Sequence, residues 1–113
     1  MAPAADLPAL QKAGVCGNVV DGLVGGSPTR FPQRYAEATP ASLLPLGIPQ
    51  IVFLGAHDTN WTPGGEVYFS AAKAAGDPVS KVVANESGHF EMVIPTTTTW
   101  PMVLDAAKQL LAD

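Results

Sequence analysis

Residues 50 to 55 read Gln50-Ile51-Val52-Phe53-Leu54-Gly55, an apolar run with β-branched and aromatic side chains. A strand without polar alternation is typical of a parallel sheet that is covered on both faces. Pro40, Pro45 and Pro49 precede the run and favour an extended connection, because each proline fixes its own φ and biases the preceding residue away from helix. The run therefore predicts a central strand.

The chain after this run predicts a strand–helix–strand unit. Thr62 is a candidate N-cap with Pro63 at the first helical position, a helix is predicted over 66–75, and Gly76 is a candidate residue just beyond its end. Val79 to Ala84 is a second β-rich run. Two strands joined by one helix within about 35 residues should be parallel, with a right-handed crossover.

A final amphipathic helix is predicted over 100–111, where apolar residues recur at helical spacing and Asp105 and Lys108 fall on the other face. Proline and glycine interrupt residues 1–48, which are expected to be irregular with short helices. The predicted fold class is α/β: one domain with an irregular, partly helical segment over 1–48 and strand–helix–strand–helix over 49–113.

The composition limits the classes of function. The chain has 113 residues, of which 47% are apolar and 14% charged, with a net charge of −4; these values are typical of one globular domain. Its six Lys and Arg residues are scattered, so nucleic acid is not an expected partner. No apolar stretch is long enough to span a bilayer and no signal-peptide pattern is present, so we expect no membrane association and a cytoplasmic location. The single cysteine, Cys16, is consistent with a reducing compartment.

Two polar loops follow the two predicted strands. The loop over 55–63 contains Asp58, and the loop over 85–90 contains His89. Because neighbouring parallel strands are roughly 5 Å apart and end at the same edge, the two side chains should lie side by side. A carboxylate that holds one nitrogen of a histidine leaves the other free to act as a general base. Gly88 is expected to allow the sharp turn that aims the ring.

These residues, in this order, resemble the C-terminal part of serine α/β-hydrolases of the esterase, acylaminoacyl-peptidase and prolyl-oligopeptidase-like group. The resemblance rests on Gly55-Ala56-His57-Asp58 with Pro63, on the helix end Ala74-Ala75-Gly76-Asp77, and on Ser87-Gly88-His89-Phe90-Glu91. Upstream, Gly25-Gly26-Ser27-Pro28, Arg34-Tyr35 and Ala41-Ser42 resemble the segment before the acid strand of that group. The likeness thus extends over nearly the whole chain, and it implies the C-terminal portion of an α/β-hydrolase fold.

The resemblance implies that Asp58 is the acid and His89 the base of a Ser–Asp–His triad that hydrolyses a small carboxylic ester or amide. No serine of the chain has glycine both two residues before and two residues after it, so the nucleophile elbow is absent. We expect the nucleophile to lie upstream of Met1 and the chain alone to be inactive. No cofactor is expected.

The acid turn departs from the family's pattern, in which the acid is followed by two residues, a small apolar residue and proline. Here both Trp61 and Thr62 separate Asn60 from Pro63, so the turn is one residue longer. The placement of Asp58 is therefore left to the tertiary structure. Trp61 is open to two interpretations: a wall of a substrate pocket, or a cover over the start of the helix.

Other interpretations stay open. A lone histidine or aspartate in a loop is more often a solvated or turn residue. A metal site built from His57, Asp58, His89 and Glu91 has no recognised ligand spacing, so no metal is expected. The chain could also be one half of a split enzyme, or a non-catalytic module that binds a partner or ligand through an exposed sheet edge.

The predicted sheet has a further consequence. A strand apolar on both faces, with one partner strand, leaves an open edge. The C-terminal helix should cover one face, and the N-terminal segments are a poor cover for the other. Self-association, or a complementing chain, is therefore expected.

Overall fold

Two parallel strands lie between two helices in the computed structural model, which describes residues 3–112. Strand β1 (Gln50–Gly55) pairs with strand β2 (Val79–Ala84), in a register from Gln50 opposite Val79 to Gly55 opposite Ala84. The α/β class, the parallel pairing and the helical crossover are confirmed. In chain order, the elements are α1 (Leu7–Ala13), α2 (Val19–Val24), α3 (Pro32–Ala38), a 3₁₀ turn (Pro40–Leu43), β1 (Gln50–Gly55), α4 (Thr62–Ala74), β2 (Val79–Ala84), a second 3₁₀ turn (Glu91–Val93) and α5 (Trp100–Ala112).

Strand β1 is covered on both faces. On one face, Val52 and Leu54 pack with Tyr68 and Ala72 of α4 and with Ala5. The expectation that this face would be poorly covered was wrong, because α4, the helix that connects the two strands, packs on it. The N-terminal chain contributes Ala5 to a core that α4 already provides.

The opposite face of the sheet packs against the second 3₁₀ turn and α5. Phe53 and Ala84 from the two strands contact Met92 and Ala106 there. Helix α5 is amphipathic as predicted, although Leu111 at its end is 87% exposed. No helix within residues 3–112 is long and apolar enough to cross a membrane.

The start of α4 differs from the sequence prediction. The helix begins at Thr62, Trp61 occupies the N-cap position, and Gly76 has the left-handed backbone (φ +90) predicted beyond its end. Thr62 is not the N-cap; its hydroxyl donates to the carbonyl of Gly55 at 2.6 Å. Because the loop after β1 is short, this side chain reaches back to the end of the strand.

The N-terminal segment is more regular than predicted. Helices α1, α2 and α3 enclose a small core of their own, formed by Leu7, Val20, Val24 and Tyr35. The Tyr35 hydroxyl lies 3.0 Å from the carbonyl oxygen of Gly26. A 3₁₀ turn at Pro40–Leu43 interrupts the connection that was predicted to be extended.

Candidate active site

The loops that follow β1 and β2 stay hydrogen-bonded beyond the ends of the strands. The N–H of Ala56 donates to the carbonyl of Ala84 at 3.0 Å, and the N–H of His57 donates to the carbonyl of Ser87 at 2.9 Å. The two loops therefore form one surface at the carboxyl edge of the sheet, where parallel α/β sheets bind ligands.

Asp58 and His89 meet on this surface. The His89 Nδ1 lies 2.8 Å from Asp58 Oδ2, so the contact predicted between the two side chains is present. The Asp58 side chain is only 4% exposed, and its second oxygen, Oδ1, accepts the backbone N–H of Trp61 at 3.2 Å. Both carboxylate oxygens thus have a partner, as a buried carboxylate requires.

The other nitrogen of His89 faces outward. Within residues 3–112 no group hydrogen-bonds Nε2, and this nitrogen is accessible at the surface. The side chain as a whole is 34% exposed. A carboxylate at Nδ1 favours the tautomer with the proton on that nitrogen, which leaves a lone pair on Nε2. That lone pair can accept a proton from a hydroxyl brought to the surface.

Two aromatic rings flank the imidazole. The Trp61 ring stacks on His89 with centroids 5.1 Å apart and planes inclined by 21°. The Phe90 ring meets His89 edge to face at 4.9 Å and is itself 68% exposed. Trp61 therefore lies over the histidine, rather than acting only as a cover for the start of α4.

Gly55 allows the two loops to approach each other. A Cβ at this position would lie 2.5 Å from the carbonyl oxygen of Gly88 and 2.6 Å from that of Ser87. The sequence had suggested Gly88 for the sharp turn, but Gly88 is not among the glycines with positive φ. An added Cβ at Gly88 would meet only the flexible Glu91 carboxylate, at 3.1 Å. Gly55, at the end of β1, is the glycine that the geometry requires.

The segment on both sides of His89 is anchored. Glu91 Oε2 accepts the N–H of Gly88 at 3.0 Å. Thr97 donates to the Glu91 carbonyl at 2.7 Å, and Met92 is 1% exposed in the core beneath. These contacts restrain the turn that carries the histidine. No short sequence pattern marks them, because each depends on how the turn folds back.

None of the five serines in the described part of the chain contacts His89 by a hydrogen bond. The nearest in sequence, Ser87, is fully buried, and its hydroxyl donates to the Gly88 carbonyl at 3.1 Å. A buried hydroxyl that bonds its own backbone is not placed to attack a substrate.

His57, although adjacent to Asp58 in sequence, is exposed and takes part through its backbone N–H. Among residues 3–112 no three His, Cys, Asp or Glu side chains are grouped so that they could hold a metal ion. The acid–base pair is therefore the one chemically distinctive arrangement at this edge of the described sheet.

Comparisons with protein-family models, with curated proteins and with solved structures returned no match to this chain.

Proposed function

We propose that this chain supplies the acid and the base of a serine hydrolase, with Asp58 orienting His89. The observation that carries the proposal is the 2.8 Å contact between Asp58 Oδ2 and His89 Nδ1, at the carboxyl edge of a parallel sheet with Nε2 accessible. The buried acid, exposed base and chain order of acid before histidine fit the C-terminal portion of an α/β-hydrolase fold.

The chemistry assigned to the pair is acyl transfer. Nε2 accepts the proton of a serine hydroxyl as that oxygen attacks the carbonyl carbon of an ester or amide. The carboxylate of Asp58 compensates the positive charge that forms on the ring. The imidazolium then returns the proton to the leaving alcohol or amine, and water repeats the sequence to release the acid.

The serine in this proposal belongs to polypeptide outside the 113 residues. No serine here has the Gly-x-Ser-x-Gly context, and the described serines do not reach His89. The nucleophile and the oxyanion-hole donors are supplied either by an upstream segment of the same polypeptide or by a separate chain. The substrate class is a small carboxylic ester or amide.

The proposal is tested by restoring the nucleophile. The DNA upstream of the first codon is read for an in-frame Gly-x-Ser-x-Gly motif, and the polypeptide that carries it is produced together with this chain. A fluorophosphonate probe should label the motif serine in the complex and should not label the 113-residue chain alone. His89→Gln should reduce ester hydrolysis by about 10⁶-fold.

His57→Gln is the matched control, because it changes an exposed histidine in the neighbouring loop and should leave labelling unchanged. Stoichiometric labelling of a serine in the isolated chain would show that the nucleophile lies within it. Full activity in His89→Gln would refute the proposal.

A second candidate function is favoured by the sheet edge. Among the described residues β1 pairs with β2 alone, so its other edge is free to bind an added strand. A non-catalytic module of this kind would bind a partner without any fluorophosphonate-reactive serine in the complex. The same labelling experiment therefore separates the two functions.

A further inference from the structure

Trp61 touches both members of the acid–base pair. Its backbone N–H donates to Asp58 Oδ1 at 3.2 Å, while its ring stacks on His89 at 5.1 Å. Asp58 and His89 are themselves joined at 2.8 Å. The three residues therefore form a closed cycle of contacts, in which one residue restrains the acid through its main chain and the base through its side chain.

The position of Trp61 in the turn makes this cycle possible. Trp61 is three residues after Asp58, the spacing at which an aspartate side chain accepts a backbone N–H in a turn. It is also the N-cap residue of α4, so the helix holds its backbone. A side chain that leaves the helix start at this point lies over the adjacent loop, where His89 is located.

The imidazole needs such a restraint. A hydrogen bond at Nδ1 leaves the ring free to pivot about that bond, and His89 is a third exposed on the outer side of the pair. Phe90 contacts the ring by an edge and is itself largely exposed, so it limits the ring less than a stacked indole does. The face contact with Trp61 is therefore the contact that is placed to restrain the plane of the ring and hence the direction of Nε2.

We propose that Trp61 is a positioning residue for His89: its indole holds the plane of the imidazole so that Nδ1 stays on Asp58 and Nε2 points to the accessible side. This inference rests on the proposed role of His89 as base. Trp61 is placed to act through His89 and has no assigned contact with substrate. The turn after Asp58, one residue longer than in the family's pattern, thus places the Trp61 side chain against His89.

The test is nitrogen NMR on the chain labelled at histidine, which reports the tautomer of each ring. His89 should show a protonated Nδ1 and an unprotonated Nε2 in its neutral form, and its ring protons should lie upfield of those of His57, because they sit over an indole face. Trp61→Ala keeps the backbone N–H to Asp58 and removes the stack alone. It should abolish the upfield shift of His89 and move its nitrogen signals toward the mixed-tautomer values of His57.

Trp61→Phe, which retains an aromatic face, should preserve most of both effects, and Trp100→Phe is the control for loss of a tryptophan outside the site. If Trp61→Ala does not fold, Trp61→Leu replaces it, since leucine keeps apolar volume without a π face. Unchanged His89 nitrogen signals in a folded Trp61 variant would overturn the inference. So would the absence of any upfield shift in the wild-type chain.

Asp58→Asn separates this inference from the proposed function. If the wild-type His89 is protonated at Nε2, or if Asp58→Asn leaves the His89 signals unchanged, the proposal that Asp58 orients His89 is refuted. If Asp58→Asn changes the tautomer while Trp61→Ala does not, the pair stands and the positioning role of Trp61 is refuted.

Discussion

Gly55 shows how a single residue without a side chain can shape the site. It ends β1, and the carbonyl groups of Ser87 and Gly88 from the neighbouring loop pass directly over it. Backbone atoms cannot turn aside as a long side chain can, so an added methyl group must push the two loops apart. The distance between Asp58 and His89 depends on that separation.

We predict that Gly55→Ala destabilises the fold by about 1–3 kcal/mol, the usual cost of overpacking a tight contact. It should also weaken the hydrogen bond between Asp58 and His89, which the histidine nitrogen signals would report. Gly64→Ala is the matched control, because nothing lies within 4 Å of a Cβ added at this position. Alanine in place of a helical glycine should stabilise the fold by about 0.5–1 kcal/mol. Equal unfolding free energies for the two variants in denaturant titrations would contradict the role of Gly55.

At the scale of elements, Asp77 connects the end of the crossover to the start of β1. Its carboxylate accepts the N–H groups of Leu46 at 2.9 Å and Gly47 at 2.7 Å, and the side-chain amide of Gln50 at 3.1 Å. Gln50 in turn accepts the hydroxyl of Tyr68 at 2.6 Å. The pKa of Asp77 lies below its ordinary 3.8, mainly because the Leu46 N–H donates to the carboxylate. The Gly47 N–H and the Gln50 amide lower the pKa further, while burial opposes these effects.

The direction of this pKa shift predicts an acid-sensitive contribution to stability. A carboxylate whose pKa is lowered by folding stabilises the fold fully above its unfolded value, and that stabilisation is lost as the pH falls from 3.8 through the folded pKa. Asp77→Asn should therefore lower the Tm at neutral pH, and the difference from wild type should narrow below pH 3.8. Asp105→Asn, an exposed carboxylate, should show little difference at any pH. A Tm difference for Asp77→Asn that stays constant into acid would rule out this account.

At the scale of the whole molecule, one edge of β1 has no partner strand among the described residues. Strand β1 is buried on both faces, but among the described residues only β2 pairs with it. Alternate backbone groups of β1, including those of Phe53, therefore point away from β2. Beside this edge lies an apolar groove of about 180 Å³, lined by Ile51, Phe53, Val103, Ala106, Ala107 and Leu110. An unpaired edge next to an apolar groove favours association.

We predict that the isolated chain forms a dimer in which the β1 edges of two copies pair antiparallel about a two-fold axis. Such pairing uses the same edge and the same groove of both copies, and would extend the sheet to four strands. Leu110→Lys, in the groove wall, should weaken the dimer about tenfold or more in sedimentation experiments, because an unpaired ammonium is costly to bury. Leu23→Lys changes an exposed leucine of α2 and should have no effect. A compact monomer with a cooperative melt would refute the prediction.

The sequence by itself determined the order of the elements over residues 49–113 and the edge of the sheet at which Asp58 and His89 both lie. A parallel pair of strands follows from the apolar run of β1, the helical stretch after it and the β-rich run of β2. Parallel neighbours end at one edge, so residues that follow the two strands come together although they are 31 positions apart. Local sequence patterns are sufficient to predict this arrangement because they specify regular strands and a helix, whose geometry is fixed.

Only the tertiary structure decided the contacts that refine the site. The stack of Trp61 on His89, the close approach at Gly55 and the bond from Thr62 to the strand end each depend on turn geometry and on the distance between two loops. A sequence pattern specifies which residues follow a strand. It does not specify the direction in which a side chain of the turn points, because that direction is set by hydrogen bonds and packing with residues remote in the chain.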